Sequence, residues 1–267
     1  MDIYGIVGWP VKHSLSPAMH NTAFKALGID AKYEKFEVKP EDLEDFLLNR
    51  KDVAGFNVTI PHKVKAKQIL EKKGASDPGF VNLCGAINTV RRDNDKLYYT
   101  NTDVPGFLTS LKEDLKFDPK DKNILLIGCG GAGRAVMAGL QESSSEIYAY
   151  DESEKAMESC KGFNKVKFIS KQKIDRIIKG CHLLVNATPI GMKEGDSCPI
   201  DKNLLHKDLF VYDVVYNRET ELVRAAEAPA VNGLGMLLYQ GAHAFEFWTG
   251  KKAPVDVMRE ELKKAIK

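Results

Sequence analysis

The sequence predicts an α/β protein with two units, each built on a mainly parallel sheet. Short apolar runs alternate with helical patterns up to about residue 100 and again from residue 123 to 232. That alternation is typical of strand–helix–strand units, which form parallel sheets. A chain of 267 residues is also long enough to divide into two domains. No internal repeat and no low-complexity linker interrupts the pattern.

The composition argues against several classes of protein. Charged residues make up 28% of the chain and hydrophobic residues 43%, as in ordinary globular proteins. A formal charge of +2 gives no reason to expect nucleic acid or a membrane as a partner, and no apolar run has the length of a membrane span or a signal-peptide core. The five cysteines lack C-x-x-C spacing, which argues against a zinc site and against a secreted disulfide framework. We therefore expect a cytoplasmic protein without a metal, either a monomer or a homodimer, that binds a small molecule.

The first predicted strand, Ile3–Val7, leads into a polar segment that contains Ser14 and Ser16. Ser16 suits the N-cap of a helix with Pro17 at its first position, and Gly28 suits the end of that helix. Hydroxyls at alternate positions point the same way in an extended segment, and near a helix N-terminus they could receive a carboxylate. The capping role of Ser16 is expected in any case. For Ser14, substrate contact and a structural role stay equally open.

Lys63 follows a strand predicted over Gly55–Thr59 and a proline, Pro61, that ends the strand and can open a helix. Side chains at such junctions are held by a rigid scaffold and stay open to substrate. A lysine there is a compact charged donor that can act as an acid or a base. The alternative is a solvated lysine at a helix start. The other motifs in the chain favour a catalytic Lys63.

Two further polar residues, Asn88 and Asp103, lie at the ends of predicted elements. Strands predicted over Ile87–Arg91 and Lys96–Thr100 flank a short polar turn. Taken singly, Asp103 suits the N-cap of the helix that follows, and Asn88 suits a turn residue. The local pattern therefore favours a structural role for each of them.

A glycine-rich loop between a strand and a helix is the clearest local motif. An apolar run over Asn123–Ile127 leads directly into G-x-G-x-x-G, formed by Gly128, Gly130 and Gly133, and a helical pattern follows. The first glycine allows a tight turn, the second lets the backbone approach a pyrophosphate, and the third lets helix and strand pack closely. The next predicted strand, Glu146–Tyr150, leads to Asp151, the usual position of an acid that binds a ribose hydroxyl. The sequence therefore predicts a Rossmann-type dinucleotide-binding unit.

A series of short motifs extends over nearly the whole chain. They are His13–Pro17, Asn57–Lys63, Gly85–Thr89, Asn101–Asp103, Gly128–Arg134, Asn186–Met192, Asp213–Tyr216, Gly233–Leu237, Gln240 and Trp248–Gly250. In content and order they resemble the shikimate dehydrogenase family, which includes the quinate/shikimate dehydrogenases.

The resemblance implies substrate-binding and catalytic roles for individual residues. In the family, serines that match Ser14 and Ser16 hold the substrate carboxylate, together with a tyrosine that matches Tyr216. The lysine and aspartate that match Lys63 and Asp103 form the catalytic pair beside the reacting oxygen. The residues that bind ring hydroxyls match Thr59, Asn88 and Gln240. We expect Lys63 to carry the transferred proton, with Asp103 as the second candidate.

The resemblance also implies cofactor-binding positions. They are Gly128, Gly130, Gly131, Ala132 and Gly133 in the glycine loop, Thr188 and Met192 against the cofactor, and Gly233 and Met236 near the nicotinamide. NADP-using members typically carry Asn-Arg-Thr after the second strand of this domain, whereas this chain has Asp151, Glu152 and Glu154, with Lys155 as the nearby cation. Like charges about 4 Å apart repel by roughly 4 kcal/mol at an effective dielectric near 20, so these acids would oppose a 2′-phosphate. We therefore predict NAD rather than NADP.

By the same resemblance the end of the chain returns to the first domain. The expected substrate domain is then discontinuous, residues 1–102 plus 236–267, with a Rossmann domain over 103–235 and the active site in the cleft between them. The implied activity is that of a shikimate dehydrogenase in aromatic amino acid biosynthesis, with shikimate preferred to quinate because both carboxylate-binding positions are serines.

Three alternatives to this activity are considered. One is an NAD-dependent quinate/shikimate dehydrogenase of quinate catabolism, and another is an enzyme that acts on an amino-substituted ring. The third, a non-catalytic dinucleotide-binding regulator, is disfavoured by the intact Lys63 and Asp103 pair and by the two serines.

Overall fold

The structure is a computed structural model that describes residues 1–73, 75–76, 78–141, 143 and 146–266. The chain divides into two compact units. The first unit consists of Met1–Gly106 and Leu238–Lys267, and the second unit of Phe107–Leu237. The predicted domain boundaries were 102/103 and 235/236, so they lie within a few residues of these divisions. Lys267, the last residue of the predicted substrate domain, lies outside the described residues.

The described elements alternate between strands and helices, as the sequence pattern predicts. The strands are β1 (Asp2–Gly8), β2 (Ala31–Glu37), β3 (Val53–Val58), β4 (Ala75–Ser76), β5 (Thr89–Asp93), β6 (Lys96–Thr100), β7 (Asn123–Ile127), β8 (Glu146–Tyr150), β9 (Val166–Phe168), β10 (Leu183–Asn186), β11 (Phe210–Asp213) and β12 (Ala230–Asn232). The α-helices are α1 (Ser16–Ala26), α2 (Leu43–Asn49), α3 (Lys63–Leu70), α4 (Pro78–Cys84), α5 (Asp103–Glu113), α6 (Gly131–Gln141), α7 (Glu154–Glu158), α8 (Ile174–Ile177), α9 (Glu221–Ala225), α10 (Leu234–Thr249) and α11 (Val255–Ala265). Single 3₁₀ turns lie at Lys171–Lys173, Ile178–Gly180 and Lys202–Leu204.

Among the residues that the structure describes, each unit contains one six-stranded sheet. The sheet of the first unit has the order β2-β1-β3-β5-β6-β4, and β5 runs antiparallel to both of its neighbours. The sheet of the second unit has the order β12-β11-β10-β7-β8-β9 and is parallel throughout. The α/β fold with a Rossmann-type second unit is therefore confirmed.

Apolar packing holds the end of β3 and the start of α3 in place. Phe56 and Val58 of β3 are buried in one cluster with Leu47 of α2 and with Ala66 and Leu70 of α3. Full burial of a large apolar side chain contributes about 1.5–3 kcal/mol, so this cluster fixes the junction strongly. The residues between β3 and α3 are consequently anchored on both sides, and so is the predicted catalytic lysine, which begins α3.

In the part of the chain that the structure describes, no helix combines the length and the apolar character needed to cross a bilayer. The His, Cys, Asp and Glu side chains of the same residues form no group of three or more that could hold a metal ion. All five cysteines are free thiols.

Candidate active site

Lys63 and Asp103 form an ion pair in the first unit. Lys63 is the first residue of α3 and follows a tight turn in which the His62 amide donates to the Thr59 carbonyl at 2.9 Å. The Nζ atom of Lys63 lies 2.5 Å from Oδ2 of Asp103. The lysine side chain is 17% exposed and the aspartate side chain 8% exposed. The lysine can therefore be reached by a small molecule, whereas its partner is nearly sealed from water.

Asp103 does not cap the helix that it begins. Asn101 has that role, because its Oδ1 accepts hydrogen bonds from the amides of Asp103 at 3.0 Å and Val104 at 3.3 Å. The second carboxylate oxygen of Asp103 accepts from Nδ2 of Asn88 at 2.9 Å. The capping interpretation of Asp103 is therefore wrong, and its carboxylate instead joins Lys63 to Asn88.

Asn88 is a buried connecting residue and not an exposed turn residue. Its side chain is 2% exposed, and its Nδ2 also lies 3.0 Å from Oγ1 of Thr102 and 3.4 Å from Oε1 of Gln240. Its Oδ1 accepts from the Thr102 amide at 2.7 Å and from the Thr89 hydroxyl at 3.0 Å. A buried amide with partners on both ends has a single favourable orientation. Asn88 thus brings Asp103 and Gln240 together at one site.

Ser14 and Ser16 lie at the start of α1, but the cap differs from the prediction. The helix begins at Ser16 itself, and no side chain caps it from the preceding position, Leu15. The Ser16 amide instead donates to Oγ of Ser14 at 3.3 Å. Ser16 itself is buried. The expected N-cap role of Ser16 is therefore wrong.

The two remaining predicted substrate residues lie on different units. Thr59 directly follows β3 in the first unit, where its amide donates to the Val7 carbonyl at 2.9 Å. Tyr216 belongs to the second unit and follows β11. Burial raises the pKa of the Tyr216 hydroxyl, so this group stays a neutral hydrogen-bond donor at physiological pH.

The predicted cofactor residues of the second unit lie along one edge of its sheet. Gly128 follows β7, Asp151 follows β8, Thr188 follows β10 and Gly233 follows β12. The carboxyl ends of parallel strands share one edge, and β7 has β8 on one side and β10 on the other. Nucleotides bind at such a point, where the strand order reverses direction. The topology therefore places these residues where a dinucleotide is expected.

The glycine loop is open at its second glycine, Gly130. A Cβ atom added to Gly130 would meet no other atom within 4 Å. By contrast, a Cβ at Gly133 would lie 2.0 Å from the Gly128 carbonyl oxygen, and Gly128 itself has a φ of +103°. Gly131 and Ala132 are the first two residues of α6. The first and third glycines are thus required by the backbone conformation and packing of the protein itself. The backbone at Gly130, by contrast, is open to the approach of a ligand.

The segment after β10 is held by its own hydrogen bonds. The Thr188 hydroxyl donates to Oδ1 of Asn186 at 2.7 Å. Met192, four residues further on, is 49% exposed, whereas Met236 is 6% exposed. A Cβ at Gly233 would lie 2.0 Å from the carbonyl oxygen of Val214, so the close approach of these two backbones requires glycine.

Both carboxylate oxygens of Asp151 accept hydrogen bonds from backbone amides. Its Oδ2 accepts from the Cys129 amide at 2.7 Å, and its Oδ1 accepts from the Ser153 amide at 2.8 Å. The carboxylate therefore ties the glycine loop to the start of α7. Lys155, the second residue of α7, is exposed.

Local sequence patterns do not predict four residues of the hydrogen-bonded site. They are Asn57, Thr89, Thr102 and Tyr33. The first three lie within motifs that carry the family resemblance, but nothing in the local pattern indicates that they meet. Tyr33 belongs to no motif, since its place in β2 predicts burial and nothing more. Only the order of the strands in the sheet reveals these contacts.

Comparison with known proteins supports the family resemblance. The model of the shikimate dehydrogenase substrate binding domain matches residues 6–90, and that of the shikimate 5′-dehydrogenase C-terminal domain matches residues 233–263. A shikimate dehydrogenase (NADP(+)) from Methanopyrus kandleri is 42% identical over 276 residues, which cover 97% of this chain and 94% of that protein.

Solved structures share the fold over its full length. Shikimate 5-dehydrogenase from Thermus thermophilus, in complex with NADP(H) and shikimate, matches with a TM-score of 0.89 and 32% identity, covering 99% of this chain and 100% of that chain. Quinate dehydrogenase from Corynebacterium glutamicum, in complex with NAD, matches with a TM-score of 0.86 and 28% identity, covering 98% and 99%.

The prediction of NAD is wrong. Eight relatives that are 36–42% identical to this chain are all named shikimate dehydrogenase (NADP(+)). The prediction assumed that the Asp151 carboxylate faces a ribose and repels a 2′-phosphate. In the structure both of its oxygens accept backbone N–H groups, whose dipoles offset part of the negative charge. An acid at this position therefore does not by itself select NAD.

Sequence identity of 36–42% extends over 97–100% of the chain in those eight relatives. The family models fall on both ends of the first unit, and the fold is shared from end to end. This chain therefore belongs to the shikimate dehydrogenase family.

Proposed function

We propose that this protein catalyses the reversible, NADP-dependent interconversion of 3-dehydroshikimate and shikimate in aromatic amino acid biosynthesis. The observation that carries the proposal is the hydrogen-bonded group of Lys63, Asp103 and Asn88. In this group the Lys63 ammonium is partly exposed, and the Asp103 carboxylate that pairs with it is almost completely buried. That arrangement suits the transfer of a single proton to or from an oxygen on the substrate ring.

Proton transfer is the task of the chain's own residues in this reaction. When bound, NADPH supplies the hydride that reduces the carbonyl carbon. Lys63 donates a hydrogen bond to the carbonyl oxygen, stabilises the negative charge that develops there and delivers the proton. Asp103 fixes the position of the Lys63 ammonium group, and Asn88 fixes Asp103. In the direction of shikimate oxidation, Lys63 takes the proton from the ring hydroxyl.

Substrate recognition divides between the carboxylate and the ring hydroxyls. The hydroxyls of Ser14 and Ser16 donate to the carboxylate. The side chains that bind ring hydroxyls are Thr59, Asn88 and Gln240. Quinate bears an extra hydroxyl on the carboxylate-bearing carbon, so the two serines are where shikimate and quinate are distinguished.

Cofactor binding is assigned to the second unit. The open backbone at Gly130 receives the pyrophosphate, with Gly131 and Ala132 at the start of α6. Thr188, Met192, Gly233 and Met236 line the remainder of the nucleotide site. The 2′-phosphate is bound by the basic side chains on either side of Asp151, namely Arg134 and Lys155.

Initial rates with shikimate and with quinate, each measured with NADP⁺ and with NAD⁺, test this function. We expect the highest kcat/KM for shikimate with NADP⁺. A pocket seldom rejects a merely hydroxylated analogue by more than about 100-fold, so weak quinate oxidation is compatible with the proposal. A higher kcat/KM for quinate would establish the catabolic activity instead. Tight binding of NADPH without turnover of either substrate would establish a regulator.

A further inference from the structure

Asp213 is a fully buried carboxylate at the last position of β11. Its Oδ1 accepts hydrogen bonds from Nδ2 of Asn186 at 2.9 Å and from the Val215 amide at 3.1 Å. Its Oδ2 accepts from the hydroxyl of Thr220 at 2.6 Å. A charge buried in this way is tolerated only because donors surround it. One carboxylate therefore joins the end of β10, where Asn186 lies, to the segment that follows β11.

The Asn186 amide can take only one orientation. Its Nδ2 donates both to Asp213 and to the Ile190 carbonyl, the latter at 3.1 Å. A carboxylate and a carbonyl are acceptors, so the NH₂ group must face them and the amide oxygen must face the other way. That oxygen accepts from the amide of Thr188 at 3.1 Å and from its hydroxyl at 2.7 Å. The bond to Ile190 lies within the segment after β10, whereas the bond to Asp213 anchors the Asn186 side chain to the neighbouring strand.

The hydroxyl of Thr188 is consequently engaged within its own segment. Its single proton goes to Asn186, and its oxygen accepts from the Ile190 amide at 3.2 Å. The methyl group of Thr188 lies against the glycine loop, since a Cβ atom added to Gly128 would be 3.0 Å from it. Thr188 thus meets the first glycine of the loop with its methyl group, in a rotamer that Asn186 holds.

The far end of the same segment is also held by the residues after β11. Nδ2 of Asn217 donates to the Met192 carbonyl at 2.9 Å. A Cβ atom added to Gly191 would lie 2.9 Å from the methyl carbon of Thr220. The residues from Asn186 to Met192 are therefore fixed at both ends against the segment that Asp213 begins.

We propose that Asp213 is a positioning residue for NADPH, acting through the side-chain amide of Asn186. This inference rests on the proposed function, in which Thr188 and Met192 line the nucleotide site. With the carboxylate in place, Asn186 holds Thr188 against the glycine loop before the cofactor arrives. Without it, the Asn186 amide loses its acceptor on β11, and the segment has to be ordered when NADPH binds. That ordering reduces affinity for the cofactor.

The substitution Asp213→Ala removes the carboxylate, and we expect the Kd for NADPH to rise about five- to 20-fold. Asp213→Asn retains an oxygen that accepts from Asn186 and turns its NH₂ group to the Thr220 oxygen, so its Kd should stay within about twofold of the wild-type value. Thr220→Val is the matched control, because it removes the bond to the other carboxylate oxygen and keeps the methyl group beside Gly191. We expect Thr220→Val to unfold at a lower urea concentration and to bind NADPH normally.

A double-mutant cycle tests whether Asp213 acts through Asn186. Asp213→Ala, Asn186→Ala and the double variant are compared by fluorescence titration with NADPH, at a temperature where urea unfolding shows each to be folded. Adding Asp213→Ala to Asn186→Ala should produce little further rise in Kd. Wild-type affinity in Asp213→Ala, equal weakening in Thr220→Val, or fully additive effects would each refute the inference.

Two further outcomes are decisive. If Asp213→Ala does not fold, Asn186→Ala and Asp213→Asn decide, and wild-type affinity in the former or weak binding by the latter would refute the inference. NADPH binding is measured without a substrate. A wild-type protein that binds NADPH but oxidises neither shikimate nor quinate would therefore overturn the proposed function and leave the role of Asp213 standing.

Discussion

Asp103 holds Lys63 through one carboxylate oxygen while its other oxygen is held by Asn88. The lysine is therefore positioned by a side chain that cannot itself turn, because both of its oxygens are engaged. Asn88 is in turn fixed by the amide of Thr102. A proton donor built in this way loses little entropy when the reaction proceeds.

Lys63→Ala should affect the chemical step more than substrate affinity. We expect kcat to fall by roughly 10²–10⁴, the usual scale for a positioned proton donor, with a smaller change in KM. Lys67→Ala is the matched control, since Lys67 lies one turn further along α3 and pairs with Glu71. Steady-state kinetics of both variants check the prediction. An unchanged kcat in a folded Lys63→Ala protein would exclude Lys63 as the proton donor.

Two glycines of the nucleotide loop should fail in different ways when changed to alanine. Gly133→Ala places a methyl group 2.0 Å from the Gly128 carbonyl, so we expect a loss of stability of about 1–3 kcal/mol or more. Gly130→Ala meets no protein atom within 4 Å, so the variant should unfold at the wild-type urea concentration and bind NADPH about tenfold or more weakly. Urea titration and NADPH binding by fluorescence measure the two effects. Normal NADPH affinity in Gly130→Ala would show that the pyrophosphate does not bind at Gly130.

Lys155 should contribute to the binding of NADP and not to that of NAD. A 2′-phosphate near the end of β8 would lie close to the first turn of α7, where Lys155 is exposed. We expect Lys155→Ala to raise KM for NADP⁺ about three- to tenfold, a partly solvated ion pair being worth roughly 1 kcal/mol, and to leave KM for NAD⁺ unchanged. Lys161→Ala is the control, because Lys161 lies just beyond the same helix and pairs with Glu158. Equal effects on both cofactors would indicate a structural role for Lys155.

His20 should make the folded protein sensitive to acid. The ring is fully buried, and within the described residues neither of its nitrogens has a hydrogen-bond partner. Burial lowers the pKa of His20 from 6.5 to about 3. Between these values a proton binds the unfolded chain but not the folded one, so stability is complete above pH 6.5 and falls as the pH decreases. The loss amounts to about 1.4 kcal/mol per pH unit, or about 2 kcal/mol between pH 6.5 and 5.

The substitution His20→Leu isolates this effect. It removes the titrating group and both unpaired nitrogens while keeping a similar volume. Urea unfolding at pH 7.5 and at pH 5 should show that the wild-type protein loses about 2 kcal/mol more than the variant over this interval. The same loss in both proteins would show that His20 accepts a proton in the folded state.

Much of the fold could be predicted from local patterns. The strands Asn123–Ile127 and Glu146–Tyr150 were predicted with the bounds that the structure gives them, because an apolar run that ends in glycine or in polar residues is a local signal. The strand predicted at Ile87 begins instead at Thr89. The family was likewise evident from motif order, and the relatives confirm it.

The sequence alone therefore determined the order of the elements, the glycine loop and the set of polar residues from which a site could be built. Only the tertiary structure decided which of those residues form hydrogen bonds with one another. Asn88 and Gln240 are 152 positions apart along the chain, and the hydrogen-bond donor to Oδ1 of Asn57 is Tyr33, which belongs to no motif. Asp151 illustrates the same limit, since its position suggested a ribose contact whereas its two oxygens accept backbone amides. Hydrogen-bond partners depend on which strand ends become neighbours, and that is a property of sheet order rather than of local sequence.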